Sequence, residues 1–363
     1  MQYESRRPLY SILAIILSIS LSACVQTPEK KQELIAYPPP PEQPRFYFEH
    51  TLVSAAQVLH DNRETRLRRL VTGESKSGTG LAKPFDVAVC KGRVYVSDTA
   101  ARAVFLFDFP SGRFSTIGKE EGAELQKPLG IATDAVCNLY VADITGKRIV
   151  VYDAEGNYLR AIGGAEWFNR VSGVTVNPEG TRVYAVDTGG VQSQEHRVRV
   201  FNATNGEHLF DFGKRGNGEG EFNLPKAIDM GPDRNLYIVD SANFRIAVFD
   251  EEGRFVRNFG SLGRRMGQFA RPKGIAVDSE GRVYVSDASH GNFQIFTAEG
   301  QLLLFIGSRS TQPGRAQYLL PAGIDVDEDG RVYFVGQFYR KLDIFRPAEL
   351  DTSAGYLGAW SGD

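Results

Sequence analysis

The chain has 363 residues, with 42 Lys and Arg against 44 Asp and Glu, 42% hydrophobic residues, 38 Gly, 23 Phe and 15 Tyr. Near-balanced charge and plentiful aromatics exclude a basic nucleic-acid binder and an acidic disordered chain, and no nucleic-acid partner is expected. Abundant Gly beside aromatic residues favours many short strands joined by tight turns over a helical protein.

At the N-terminus Arg6 and Arg7 precede an apolar run over residues 9–21. It falls short of the ~20 apolar residues a spanning helix needs and reads as the core of a signal peptide over residues 1–23. The run ends in Leu21-Ser22-Ala23-Cys24, which resembles the bacterial lipobox. The resemblance implies cleavage before Cys24, diacylglycerol on its sulfur and acylation of its amine, hence a membrane partner through lipid. Val25 stands where lipoproteins retained at the inner membrane typically carry Asp, so the resemblance implies the outer membrane, facing the periplasm. Ser5-Arg6-Arg7 also resembles part of a twin-Arg export signal. Residues 24–44 include Pro28, Pro38, Pro39, Pro40, Pro41 and Pro44 without apolar periodicity, and read as a semi-rigid tether or, alternatively, a ligand for a Pro-binding groove.

The folded domain is expected over residues 45–363. Phe46, Phe48 and Leu52 alternate within residues 45–53, the pattern of a strand. Residues 61–71, with Leu67, Leu70 and Val71 at helical spacing, predict a short helix carrying Arg63, Arg66, Arg68 and Arg69.

From residue 81 onward the chain repeats. Tyr95, Tyr140, Tyr184, Tyr237, Tyr284 and Tyr333 recur every 44 to 53 residues, each within a segment such as Val94-Tyr95-Val96-Ser97-Asp98. Every unit contains four short strands separated by Asp and Gly turns, which matches a propeller blade. The all-β architecture expected is a six-bladed β-propeller whose last blade is completed by residues 45–53, removing a sheet edge. The units resemble NHL repeats. Unit five reads Pro272-Lys273-Gly274-Ile275-Ala276-Val277-Asp278, Val283-Tyr284-Val285-Ser286-Asp287 and Phe293-Gln294-Ile295-Phe296, departing from the family where Arg is usual. Members of that superfamily include enzymes, binding platforms and anchored periplasmic proteins, so the resemblance specifies fold more than activity.

In such a blade the innermost strand starts on the face that carries the inter-blade links. Arg264, Arg265 and Arg271 fall in one link, Arg309 and Arg315 in the next, and Phe338, Tyr339 and Arg340 in a turn of unit six. Lys226 and Lys273 follow the Pro residues that open two innermost strands. These residues are the candidate ligand-binding set, since one sign of charge on a concave rim concentrates the opposite charge. Asp229 and Asp325 lie on innermost strands, as hydrated channel lining or as weak candidates for holding Ca²⁺ in the channel; no other cofactor is expected. Asp325-Val326-Asp327-Glu328-Asp329-Gly330 imitates the start of a calcium loop, but Gly336 stands where the loop needs Glu, so it reads as a turn.

The five His do not form a three-His metal set, and no nucleophile elbow, phosphate loop or Cys-x-x-Cys occurs. With Cys24 acylated, Cys90 and Cys137 remain in an oxidising compartment, in turns of adjacent units. They are expected to pair, the alternative being two small residues in separate turns. The functional expectation is a non-catalytic platform whose basic face engages a protein or an anionic glycan in the periplasm. The alternative is an enzyme of the lactonase or lyase kind using channel carboxylates and a divalent metal.

Overall fold

The computed structural model describes residues 34–59, 71–72, 78–190 and 192–358. The signal peptide, Cys24 and nearly all of the expected helix over residues 61–71 lie outside the described residues.

Six antiparallel sheets follow one another along the chain. Their innermost strands are Pro84–Cys90, Pro128–Thr133, Val171–Val176, Pro225–Met230, Pro272–Val277 and Pro321–Val326. Each packs on the next, and the sixth packs on the first, closing a ring. We call the end at which these strands begin the upper face.

The second strand of every blade is buried along its whole length apart from its leading Arg where one is present, because neighbouring blades cover both sides of it. The recurring tyrosines explain themselves here. All six are at most 1% exposed, and their rings fill the space between blades. Their hydroxyls donate to groups of the lower turns, as from Tyr284 to Asp278 at 2.9 Å and Tyr333 to Asp327 at 2.9 Å. A buried Tyr needs such a partner for its O–H, so the repeat residue both packs and anchors a turn.

Blade six is closed by the N-terminal strand Phe46–Leu52, which pairs with Lys341–Pro347 from Phe46 opposite Pro347 to Leu52 opposite Leu342. A further strand, Ala36–Tyr37, pairs with Phe46 and Tyr47, and the Tyr37 ring meets Phe345 at 5.9 Å. The compact unit starts at Ile35, ten residues before the boundary that composition suggests. Proline marks those residues as extended, and an extended segment can equally well join a sheet edge.

Charge locks this closure. Glu49 sits at a bulge in the closing strand; its carboxylate accepts from Arg331 Nε at 2.9 Å and lies 3.4 Å from Arg346 Nε. Asp343 accepts from Thr51 Oγ1 at 2.7 Å, Tyr318 Oη at 2.6 Å and Lys341 Nζ at 2.5 Å. A disulfide joins Cys90 and Cys137 of blades one and two, with Cα atoms 5.6 Å apart and a sequence separation of 47. Chain-entropy reasoning assigns such a link about 4 kcal/mol.

Removing the carboxylate of Glu49 leaves two buried guanidinium groups without their shared partner. We predict that Glu49→Ala lowers the unfolding free energy by about 3 kcal/mol in urea titration, whereas a loss under about 1 kcal/mol would show that the ring closes through backbone pairing alone.

Candidate functional site

The channel along the ring axis narrows at the third residue of each innermost strand. That layer consists of Asp86, Gly130, Gly173, Ala227, Gly274 and Gly323. A Cβ on Gly130 would come within 2.7 Å of Gly173 Cα, and one on Gly173 within 2.6 Å of the Lys226 carbonyl oxygen. Neighbouring strands therefore approach too closely at Gly130 and Gly173 for larger residues. The channel has two chambers, an upper one of about 320 Å³ and a lower one of about 400 Å³, and both are lined by Asp86 and Ala227.

The upper chamber is ringed by cations from five blades: Lys83, Lys127, Arg170, Lys226 and Lys273. Lys83, Lys127 and Arg170 sit immediately before their innermost strands and are exposed, while Lys226 and Lys273 lie second in theirs and are half-buried. Among the described residues, none of the five side chains has a hydrogen-bond acceptor or an ion-pair partner. Asp86 is the single acid that lines this chamber, on its floor.

The repeat itself places these cations. The Asp ending the second strand is fully buried in blades one to five. Its carboxylate takes the backbone N–H of the residue leading into the innermost strand: Asp98 from Lys83 at 2.8 Å, Asp143 from Lys127 at 2.8 Å, Asp187 from Arg170 at 2.7 Å and Asp287 from Arg271 at 2.9 Å. In blade four Asp240 takes Asn223 N–H at 2.6 Å, one residue earlier. Charge-assisted bonds to backbone donors of this kind are strong and fix the chain where the cations project. Blade six has Gly336 in place of the Asp and contributes no cation; Gln337 donates from its side chain to the Pro84 carbonyl at 3.1 Å instead.

Crowding perturbs the two deeper lysines. Burial, then the neighbouring Arg271 and Lys226, bring Lys273 down to about 8. Burial, then Arg271 and Arg170, lower Lys226 as well. Both effects disfavour the ammonium form.

The structure thus brings Lys226 and Lys273 to the mouth and Arg271 within electrostatic reach of both. The other expected ligand-binding residues do not line it. Arg264 and Arg265 are exposed on the link between blades four and five. Arg309 Nη1 donates to the Ala288 carbonyl at 3.4 Å, and Arg315 lies over the Phe48 ring at 5.7 Å, beside the closing strand of blade six. Tyr339 Oη donates to the Ser310 carbonyl at 2.9 Å; Phe338 meets its ring edge-on at 5.2 Å, and Arg340 beside them is exposed. Lys83, Lys127 and Arg170 lie outside the expected set, because the net charge of a link hides which of its residues enters the innermost strand. Comparing the residue just before each innermost strand finds them, with Arg271 in the same register.

In the lower chamber Asp229 and Asp325 face the void but spend their oxygens on neighbouring strands. Asp229 accepts Val277 N–H at 2.7 Å and Asp325 accepts Val89 N–H at 2.7 Å, each stitching its blade to the next. Burial pushes Asp229 up to about 6, and burial with the nearby Asp229 and Asp86 carboxylates pushes Asp325 well above the usual carboxylate range. No group of three or more His, Cys, Asp or Glu among the described residues is arranged to hold a metal ion.

A model of the NHL repeat matches residues 269–296, which run from the end of a link through the third strand of blade five. No curated protein matches the chain by sequence. Among solved structures it is similar to a gluconolactonase from Xanthomonas campestris, at 17% identity over 73% of this chain and 86% of that one, with a TM-score of 0.55. It is also similar to a catalytically inactive virginiamycin B lyase from Staphylococcus aureus solved with quinupristin, at 15% identity over 75% and 86% with a TM-score of 0.52. A protein of unknown function from Bacteroides thetaiotaomicron matches at 18% identity over 84% and 76%, with a TM-score of 0.58. At these identities the likeness is one of fold. The chain thus carries an NHL repeat in blade five and folds as a six-bladed β-propeller.

Proposed function

We propose that this propeller is a binding module that captures an anionic ligand, or the acidic segment of a protein partner, at the upper mouth of its channel. The observation that carries this reading is the ring of five cations without a carboxylate partner. Holding unpaired cations together in a half-buried site has an electrostatic cost, visible in the lowering of Lys226 and Lys273, and an arriving anion relieves it. The lactonase or lyase alternative draws no comparable support, because Asp229 and Asp325 of the lower chamber are engaged in stitching blades together.

The proposal includes the place of action. Leu21-Ser22-Ala23-Cys24 supports a lipid anchor at Cys24 on the periplasmic side of the outer membrane, and no helix among the described residues is long and apolar enough to cross a membrane.

Charge reversal tests the mouth. We expect Lys226→Glu combined with Lys273→Glu to weaken binding of a fluorescein-labelled acidic oligopeptide more than roughly thirtyfold, because both substitutions add repulsion inside the chamber. Arg264→Glu with Arg265→Glu, out on the link, changes it by roughly threefold at most, through screened charge. Undiminished binding by the lysine variant with its thermal transition intact would refute the mouth as the site. For the anchor, Cys24→Ser is expected to move the protein from the membrane fraction to the soluble fraction; continued pelleting with outer membranes would contradict lipid tethering.

A further inference from the structure

The upper chamber is polar along its length as well as around its rim. Cations occupy its entrance, and at its floor one carboxyl group stands apart from them. Asp86 fills the position that Gly130, Gly173, Gly274 and Gly323 hold in four other blades. Its carboxylate lies against the adjoining innermost strand of blade six, where a Cβ on Gly323 would come within 2.0 Å of Asp86 Oδ1. One oxygen, Oδ2, accepts the Ile131 N–H of blade two at 3.1 Å. No ion pair joins Asp86 to Lys83, Lys127, Arg170, Lys226 or Lys273. A carboxylate that has five cations lining the same void and pairs with none of them is positioned for a donor arriving from the void.

We propose that the ligand of this chamber is a small amino-substituted multivalent acid, bound with its anionic groups at the cation ring and its ammonium group at Asp86. This rests on the anion-capture reading and adds an orientation to it. About 320 Å³ is at the lower end of the range for small-molecule sites and admits a ligand the size of a dipeptide. Phe85, Leu129 and Ile144 line the chamber as well and offer an apolar wall to the carbon skeleton between the two charged ends. Burial holds the Asp86 carboxyl up to about 7, and a ligand ammonium beside it supplies the cation it lacks.

The competing idea, a site that only counts negative charge, makes the opposite forecast for one pair of probes. L-glutamyl-L-glutamate carries an ammonium group, and its N-acetyl derivative carries none and is one charge more negative. Calorimetric titration of the full chain at neutral pH is expected to show the free dipeptide binding roughly tenfold tighter, the size of one charge-assisted hydrogen bond. Asp86→Asn, which retains an oxygen for Ile131, should remove that preference and leave the acetylated probe equal or tighter. Asp325→Asn in the lower chamber should retain the preference. Tighter binding of the acetylated dipeptide to the unaltered chain overturns the orientation while leaving anion capture standing. Failure of both probes to bind, with an acidic oligopeptide still bound, rejects a small ligand; failure of all three rejects the anion-capture reading itself. The comparison on the unaltered chain decides the matter even if Asp86→Asn does not fold.

Discussion

A buried carboxylate at the end of the second strand, present in five of the six blades, is the contact on which the rest of the upper face depends. In blades one to five this Asp gathers the backbone N–H groups of the residues that lead from a link into the innermost strand. A link alone would leave those donors to water and the entry residue free to wander. With the carboxylate in place, the entry to the innermost strand is held by a buried anion in each of blades one to five. At that position Lys83, Lys127 and Arg170 line the mouth. In this chain the position holds Lys83, Lys127, Arg170 and Arg271 in four of the blades.

Blade six is the exception, and its exception is consistent. It must pair with a strand from the far end of the chain, and its buried acid, Asp343, is on the third strand, where it receives Thr51 from the closing strand together with Tyr318 and Lys341. The carboxylate that elsewhere shapes the mouth is here committed to closure, and Gly336 occupies the second-strand end. The cation ring is accordingly open on that side. Stability itself comes from the six clusters of apolar side chains packed within and between blades, each blade relying on its neighbours for a core.

The blades could be read from the chain because the signals are local: the spacing of Tyr95 through Tyr333, the Asp and Gly turns, and the alternation of Phe46, Phe48 and Leu52 in the strand Phe46–Leu52 that closes the ring. The site was only partly legible. Lys226 and Lys273 stand out after a Pro, but Lys83 and Lys127 precede one, and their convergence depends on ring closure between residues far apart in sequence. Asp86 is not marked by the repeat, because it replaces a glycine rather than the residue two positions later, where Asp229 and Asp325 replace an alanine. The proline segment before residue 45 shows the same limit. Composition marks it as extended, and only the exposed edge of blade six decides that part of it joins the sheet.

Cations that share one mouth without side-chain partners give an arriving anion its binding energy. Side-chain NMR titration of lysines labelled at Cε, with Lys273 assigned through Lys273→Arg, measures this directly. Lys273 is expected to titrate near 8 in the free protein and to climb towards the ordinary lysine range when an acidic ligand binds. A Lys273 that titrates at the ordinary lysine value in the free protein, and does not move when acidic ligands are added, would contradict the account.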